Sequence, residues 1–152
     1  MRKMEKAVTD KNTIEKIIQR ASVCRLGLSS ENTPYIVPVC FGYKDNALYF
    51  HSSTTGRKLE MLEQNNRICF EMDVDTHLVV GSSACDWTMK YLSVIGYGRA
   101  IKVEDPQEKV AALDIIMEHY SGPQGDYDKS TLEKVMVIKV EIESMTGKKS
   151  GF

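Results

Sequence analysis

The chain has 152 residues, 42% of them hydrophobic and 27% charged, the size and balance of one soluble globular domain with a sizeable core. Twenty Lys and Arg against twenty-one Asp and Glu leave a net charge of −1, so no basic field steers it toward nucleic acid or anionic lipid. No apolar run approaches the ~18 residues of a membrane span, and the polar start MRKMEKAVTDKNT lacks the apolar stretch of a signal peptide. One cytoplasmic domain over residues 1–152 is the expectation, with no nucleic-acid or membrane partner.

The first predicted helix follows Asp10, a good N-cap, and carries Ile14, Ile17, Ile18 and Ala21 on one face. Strands come next. Cys24, Leu26 and Leu28 alternate in VCRLGLS, the turn SENTP leads into YIVPVCFGY, and KDN leads into ALYFHS. Pro38 demotes its strand to an edge or a bulge. A short helix begins at Arg57, and Ile68, Phe70, Met72 and Val74 then alternate in RICFEMDVD. After a loop with Gly81, Ser82 and Ser83, YLSVIGYGRAIKV reads as a long strand whose two glycines suit a barrel bend.

The strongest helix signal is EDPQEKVAALDIIMEHYSG. Asp105 caps it, Pro106 takes the first helical position and Glu108 completes a capping box. Its predicted apolar face is Val110, Leu113, Ile116 or Met117, and Tyr120, and Gly122 is the predicted stop. GPQGDYDKS reads as a loop, and KVMVIKVEI as a last strand with Met136, Ile138, Val140 and Ile142 inward. Short turns between the early strands, with no βαβ alternation, predict a mainly β fold: an antiparallel β-barrel with peripheral helices and about six strands.

Cys24, Cys40 and Cys69 lie in apolar strand-like runs and are predicted to be buried thiols, with Cys85 in a loop. No C-x-x-C is present, and His51, His77 and His119 pair with no cysteine or carboxylate at a metal-ligand spacing. No metal site is expected.

The chemistry concentrates in YFHSSTTGRKLEML, residues 49 to 62. Leu48, Phe50 and Ser52 point to one side of the strand, and Ala47, Tyr49 and His51 to the other. The strand opens into Ser52, Ser53, Thr54, Thr55 and Gly56, and the next helix starts at Arg57 and Lys58. An anion there would meet free backbone N–H groups, the positive end of a helix, hydroxyls and two cations. The residues by themselves fit a polar loop before a solvated helix equally well. This is not a Walker loop. Pro38 would leave neighbouring backbone groups free for the edge of a planar heterocycle, or simply mark an edge strand. Trp87, Met89, Tyr91 and Ser93 alternate in CDWTMKYLSV, where a large ring could lie against them, or where they could be core or a dimer contact.

Three segments in this order, VPVCFGY, LYFHSSTTGRKLEML and CDWTMKYLSVIGYGRA, together with the closing EIESMTGKKSG, resemble the FMN-binding split-barrel family related to pyridoxamine 5′-phosphate oxidase. More narrowly they resemble its nitroimidazole-resistance branch. The resemblance implies a six-stranded split barrel forming a homodimer with FMN at the subunit interface. It implies that Arg57 and Lys58 hold the flavin phosphate with Ser52 and the following hydroxyls nearby. The ring would lie along Val37, Pro38 and Val39, with Tyr49 and His51 approaching it. Trp87, Tyr91 and Ser93 would come from the partner or line the open face.

The implied reaction is electron or hydride transfer from reduced FMN to a small, nitro-aromatic acceptor, with the protein positioning and tuning the ring. His51 is a candidate proton donor, or a structurally satisfied strand-end histidine. Lys148 is a candidate donor to the reduced ring, or a flexible tail lysine. Pyridoxamine phosphate oxidase activity itself is not expected, because the chain closes on MTGKKSGF without that enzyme's further substrate-phosphate residues. No G-x-G-x-x-G follows a strand, so a nicotinamide donor has no dedicated fingerprint. A flavin carrier without turnover, and a split barrel that binds haem or the deazaflavin F420, are the alternatives.

Overall fold

Two tight turns start the sheet. In the computed structural model, which describes residues 4–152, β2 (Cys24–Ser30) and β3 (Thr33–Val39) are joined by Glu31 and Asn32. β4 (Gly42–Lys44) and β5 (Ala47–Ser53) are joined by Asp45 and Asn46. In each pair the first residue has φ 49° and the second 62°, the positive-φ geometry whose twist matches the flanking strands of a two-residue hairpin.

The remaining strands are long. β6 (Arg67–Val79), β7 (Thr88–Val103) and β8 (Val135–Ser150) carry the sheet, and β1 (Ala7–Val8) adds a short pair to β8. All pairings are antiparallel, and the order β3-β2-β6-β7-β8-β5-β4 leaves β3 and β4 as edges. The fold is therefore the predicted mainly β split barrel, an antiparallel sheet that curls without closing. Strands number eight rather than six because β1 and β4 are short pieces that no alternation announces. Pro38 lies on the edge strand β3, opposite Arg25, where a missing N–H disturbs no second ladder.

The concave side of the sheet holds the main core. α1 (Lys11–Arg20) contributes Ile14, Ile17 and Ile18, and α2 (Arg57–Gln64) contributes Leu59, Met61 and Leu62. They pack with Leu26, Phe50, Phe70, Met72, Val94 and Val140 of the strands. α3 (Pro106–His119) covers the other side of β5 and β8, where Ala112, Leu113 and Ile116 meet Val103 and Val137. Both flanks of β8 are thus buried. At Gly96 of β7 the Phe70 ring fills the space a Cβ would need. One residue on, the β7–β8 register steps from Tyr97 opposite Ser144 to Gly98 opposite Ile142, leaving Glu143 as a bulge.

Five local expectations change. YIVPVCFGY is not one strand: Phe41 turns inward, its N–H donating to the Tyr120 hydroxyl at 3.0 Å, and Cys40 is thrown outward. Cys40 is therefore exposed and Cys69 half-buried, while Cys24 is buried as predicted; all four cysteines are free thiols. The left-handed residue ending α3 is Ser121 (φ 57°), not Gly122. The Gly122 N–H instead reaches back to the Met117 carbonyl at 2.8 Å and that of Ser121 to Glu118 at 3.2 Å. The segment read as a loop runs into α4 (Lys129–Lys134), capped by Asp128. Finally, β8 does not stop at Ile142 but continues to Ser150, so Lys148 is part of the sheet, opposite Ser93 and Ala7, rather than a flexible tail. Among the described residues no helix is long and apolar enough to cross a membrane.

Candidate functional site: an anion corner at the mouth of the split barrel

β5 alternates as its sequence dictates. Leu48 and Phe50 enter the main core, while Tyr49 packs with the residues beneath α3. His51 shares the Tyr49 side, pairs with Val137 and is exposed at the end of the strand. The chain then leaves the sheet through small hydroxyls that organise their own backbone. Ser52 Oγ donates to the Ser53 carbonyl at 2.8 Å, and Ser53 Oγ to that of Thr55 at 2.6 Å.

Gly56 follows at φ 133°, with open space where a side chain would lie. It is the N-cap of α2 and supplies no side-chain cap. The other three α-helices are each capped by an aspartate that accepts from a first-turn amide: Asp10 from Thr13, Asp105 from Glu108 and Asp128 from Thr131. The leading N–H groups of α2 and its partial positive charge thus have no capping carboxylate, the acidic residue of the first turn being Glu60.

Two cations stand at this corner. The Arg57 guanidinium lies 5.2 Å over the Tyr35 ring, and the Lys58 ammonium 5.5 Å over the Phe50 ring. Neither forms an ion pair among the described residues. Lys58 is half-buried, and that burial lowers its pKa. His51 keeps part of its ring in solvent, yet its pKa is also lowered, first by lost hydration and then by the Lys58 charge. The corner therefore carries two cations, Arg57 and Lys58, that pair neither with the first-turn Glu60 nor with any other carboxylate among the described residues. Tyr35, which the sequence reading missed, connects it to β3. Val37 and Val39 lie on the Tyr35 side of that strand and pack against the core, while Pro38 faces outward on the unpaired edge.

Trp87, Tyr91 and Ser93 lie elsewhere. Trp87, half-exposed, donates its indole N–H to the Gly81 carbonyl at 3.1 Å. The loop before it is held by Ser82 and Ser83 hydroxyls on Asp86. Tyr91 lies under the Lys148 ammonium at 5.7 Å, and Ser93 is nearly buried with Asp73 opposite on β6 and Lys148 opposite on β8. β2 and β6 intervene between β3 and β7, a separation of about 14 Å at ordinary strand spacing. Within one chain, then, the structure places Ser52, Arg57 and Lys58 at one corner beside Tyr35 of β3, with His51 near the same end of β5 on its other face, and it leaves Ser93, opposite Lys148, at the far end of β8 from Val137 opposite His51.

The outer face of β2 and β6 holds a second unforeseen feature. Arg25 Nη1 lies 3.2 Å from both Glu71 Oε1 and Asp73 Oδ2, one guanidinium between two carboxylates. Burial, followed by the Asp73 hydrogen bond and charge, pushes the Glu71 carboxyl up to about 7. Ile95, paired with Glu71, and Tyr97, paired with Cys69, are exposed beside it, as is Ile36 on β3. The alternation of Glu71 and Asp73 on one strand face was visible in the sequence; their meeting with Arg25 was not.

Comparison with known proteins assigns this architecture. A sequence model of the pyridoxamine 5′-phosphate oxidase family matches residues 10–149. A provisionally described 5-nitroimidazole antibiotic resistance protein of Bacteroides thetaiotaomicron is 40% identical in sequence. The match covers 93% of this chain and 85% of that one, with a TM-score of 0.84. An FAD- and haem-binding protein of Mycobacterium smegmatis shares the fold at 18% identity and a TM-score of 0.87, covering 97% of this chain and 74% of its own. The flavocytochrome Anf3 of Azotobacter vinelandii does so at 22% and 0.81, covering 96% and 70%. No curated protein matches the chain.

Proposed function

We propose that this chain, which belongs to the pyridoxamine 5′-phosphate oxidase family, binds FMN at the anion corner and passes electrons from it to a small acceptor, nitro-aromatic compounds among them. The observation that carries the reading is the adjacent pair Arg57 and Lys58, without a carboxylate partner among the described residues, at the aspartate-free start of α2. Two cations, first-turn amides and serine hydroxyls suit one phosphomonoester, the terminal group of FMN. The nitroimidazole-resistance relative supports the acceptor class through its description.

The bound ring would supply one- and two-electron transfer. The protein's part is binding and proton handling. Arg57 offers a two-pronged donor and Lys58 a point charge; Ser52 and the hydroxyls after it offer further donors. Gly56 keeps the approach to the helix amides clear of a Cβ. Val37, Pro38 and Val39 present the free edge of β3 to a planar ring. Tyr49 is engaged beneath α3, which leaves His51 as the side chain on that face able to exchange a proton with a reduced substrate.

The working unit in this reading is a homodimer. Trp87, Tyr91 and Ser93 of a second copy would complete the ring's surroundings, since in their own chain Tyr91 and Ser93 pair with Ser150 and Lys148, at the opposite end of β8 from the Val135–Val137 stretch beside the corner. The exposed Ile95, Tyr97 and Ile36 give the sheet an apolar patch suited to that contact.

The test begins with protein purified without added flavin. Mass spectrometry of the released cofactor is expected to give FMN. Under anaerobic conditions a nicotinamide donor is expected to bleach it, and a nitro-aromatic acceptor to restore the colour. A Soret band in place of the flavin spectrum would assign the haem reading instead. FMN that no donor bleaches would make the protein a carrier.

A further inference from the structure

Resting on the homodimer proposed above, the outer face of β2, β6 and β7 specifies how two copies meet. Paired residues form rows across these strands. The middle row runs from Ile36 on β3 through Gly27 and Cys69 to Tyr97 on β7. The row on one side of it holds Arg25, Glu71 and Ile95, and the row on the other side holds Arg67 and Arg99. Alternate residues of a strand share a face, so Arg67 and Glu71 stand on the same side of β6, placed symmetrically about Cys69.

The two flanking rows carry opposite excesses. Arg25 Nη1 lies 3.2 Å from both Glu71 and Asp73, so two carboxylates share one cation. At the other end Arg67 Nη1 lies 3.3 Å and Arg99 Nε 3.9 Å from Glu143 Oε1, so two cations share one carboxylate. On the bordering strand β8, Glu141 is opposite Arg99 and Lys148 opposite Ser93, and neither enters an ion pair among the described residues. Between the charged ends the surface is apolar: Ile36 is 72% exposed, Tyr97 45% and Ile95 42%.

A two-fold contact sets a face against its own image. An axis lying in the face along the middle row turns one end of each strand over the other end of the same strand in the partner. Cys69 and Tyr97 then meet their own copies, and Arg67 comes over the partner's Glu71 at two equivalent places. An axis along the strands would lay each row on itself, arginine on arginine and carboxylate on carboxylate, which charge repulsion disfavours. The end-over-end turn has a second consequence. Ser93 precedes Tyr97 on β7, whereas Val103 follows it and is level with Val137, the residue opposite His51. The turn therefore carries the Ser93 end of one copy to the end of the other where β5 opens into the anion corner.

We propose that two copies of this chain pack through the outer faces of β2, β6 and β7 about a two-fold axis along the Cys69–Tyr97 row, with Arg67 of each subunit paired to Glu71 of the other. Ile36, Ile95 and Tyr97 lose their exposure to water, and each end of the face receives the charge it lacks. The same axis brings the β7 residues of one copy toward the anion corner of its partner, where a single chain leaves the ring's surroundings incomplete.

Sedimentation equilibrium and native mass spectrometry of the purified protein read the assembly, and wild type is expected to be a dimer of the 17.2 kDa chain. Arg67→Glu and Glu71→Arg, made separately, set like charges against each other at both equivalent contacts. Each is expected to weaken self-association at least about tenfold. Mixed in equal amounts, the two variants carry opposite charges at both contacts and are expected to form a one-to-one heterodimer in preference to either homodimer. Thermal unfolding by circular dichroism checks that each reversed chain is folded; for one that is not, Arg67→Gln or Glu71→Gln takes its place and is expected to weaken the homodimer as well.

A wild-type dimer that these changes leave intact would overturn the proposed face while the homodimer stands. Weakened reversal variants that show no preference for each other would overturn the end-over-end pairing. A monomeric wild type would remove the homodimer and this inference together.

Discussion

Two regions of this molecule leave charge unbalanced, and in opposite senses. At the start of α2, Arg57 and Lys58 face no carboxylate among the described residues. On the outer face of β2 and β6, Arg25 alone serves both Glu71 and Asp73. The responses differ accordingly. Lys58 is pushed toward its neutral form, and Glu71 is raised to about 7, where a proton supplies the missing positive charge. An excess carboxylate can be neutralised by a proton from water. An arginine cannot release one at any ordinary pH, and the first-turn Glu60 pairs with neither cation, so an anion from outside is the partner that Arg57 can still take. That asymmetry is the physical ground for reading the first region as a binding site and the second as a titrating contact on a sheet face.

The largest expected effect breaks the cationic corner. Replacing Arg57 and Lys58 together by alanine should weaken FMN binding by several kcal/mol, about 3 or more for two charge-assisted contacts, read by flavin fluorescence quenching. Stability should fall only modestly, by about 1–2 kcal/mol for the two lost cation–ring contacts, because neither side chain forms an ion pair. Unaltered affinity would remove the phosphate assignment.

Next comes the cap. Gly56→Asp places a carboxylate before α2, as Asp105 stands before α3, at a backbone φ of 133° that disfavours any side chain. FMN affinity should fall at least about tenfold, and stability by about 1–2 kcal/mol. Tighter binding would argue that the helix end does not face the anion. The reciprocal change, Asp105→Ala, removes the acceptor that holds the Glu108 amide at 3.0 Å. It should cost about 1 kcal/mol in chemical denaturation and leave FMN affinity unaltered; a loss of binding there would erase the distinction between the two helices.

The smallest effect concerns Glu71. Its folded pKa is raised above the ordinary 4.5 to about 7, so the folded state holds this proton more tightly than the unfolded chain. Its contribution to stability is therefore fullest below about 4.5 and is lost as pH rises to about 7. The group is partly exposed, and solvent screening reduces the effect to something under about 1 kcal/mol. Denaturation midpoints compared at pH 5 and pH 8 should show Glu71→Gln with the flatter dependence and the greater stability at pH 8. Identical slopes in the two proteins would show that Arg25 already balances the pair.

Much of this was legible in the sequence, and for a common reason. The alternation of Cys24, Leu26 and Leu28, the aspartate caps at Asp10 and Asp105, and the hydroxyl run ending in Gly56, Arg57 and Lys58 all depend on residues within a turn or two of each other. Strand period, capping and the charge at a helix start are local physics, so a linear reading finds them.

Tertiary structure decided the rest. MTGKKS has no apolar alternation, yet it is strand because β7 on one flank and β1 on the other hydrogen-bond to it, which places Lys148 beside Ser93. Cys40 is outside because Phe41 takes the inward position under Tyr120. Arg25 meets Glu71 and Asp73 across 46 and 48 residues of chain. The separation of the anion corner from Tyr91 and Ser93 follows from register along β8, where His51 is opposite Val137 but Ser93 is opposite Lys148 and Tyr91 opposite Ser150. A strand's extent, its neighbours and the charges it meets are set by the partner it pairs with, and no stretch of sequence names its partner.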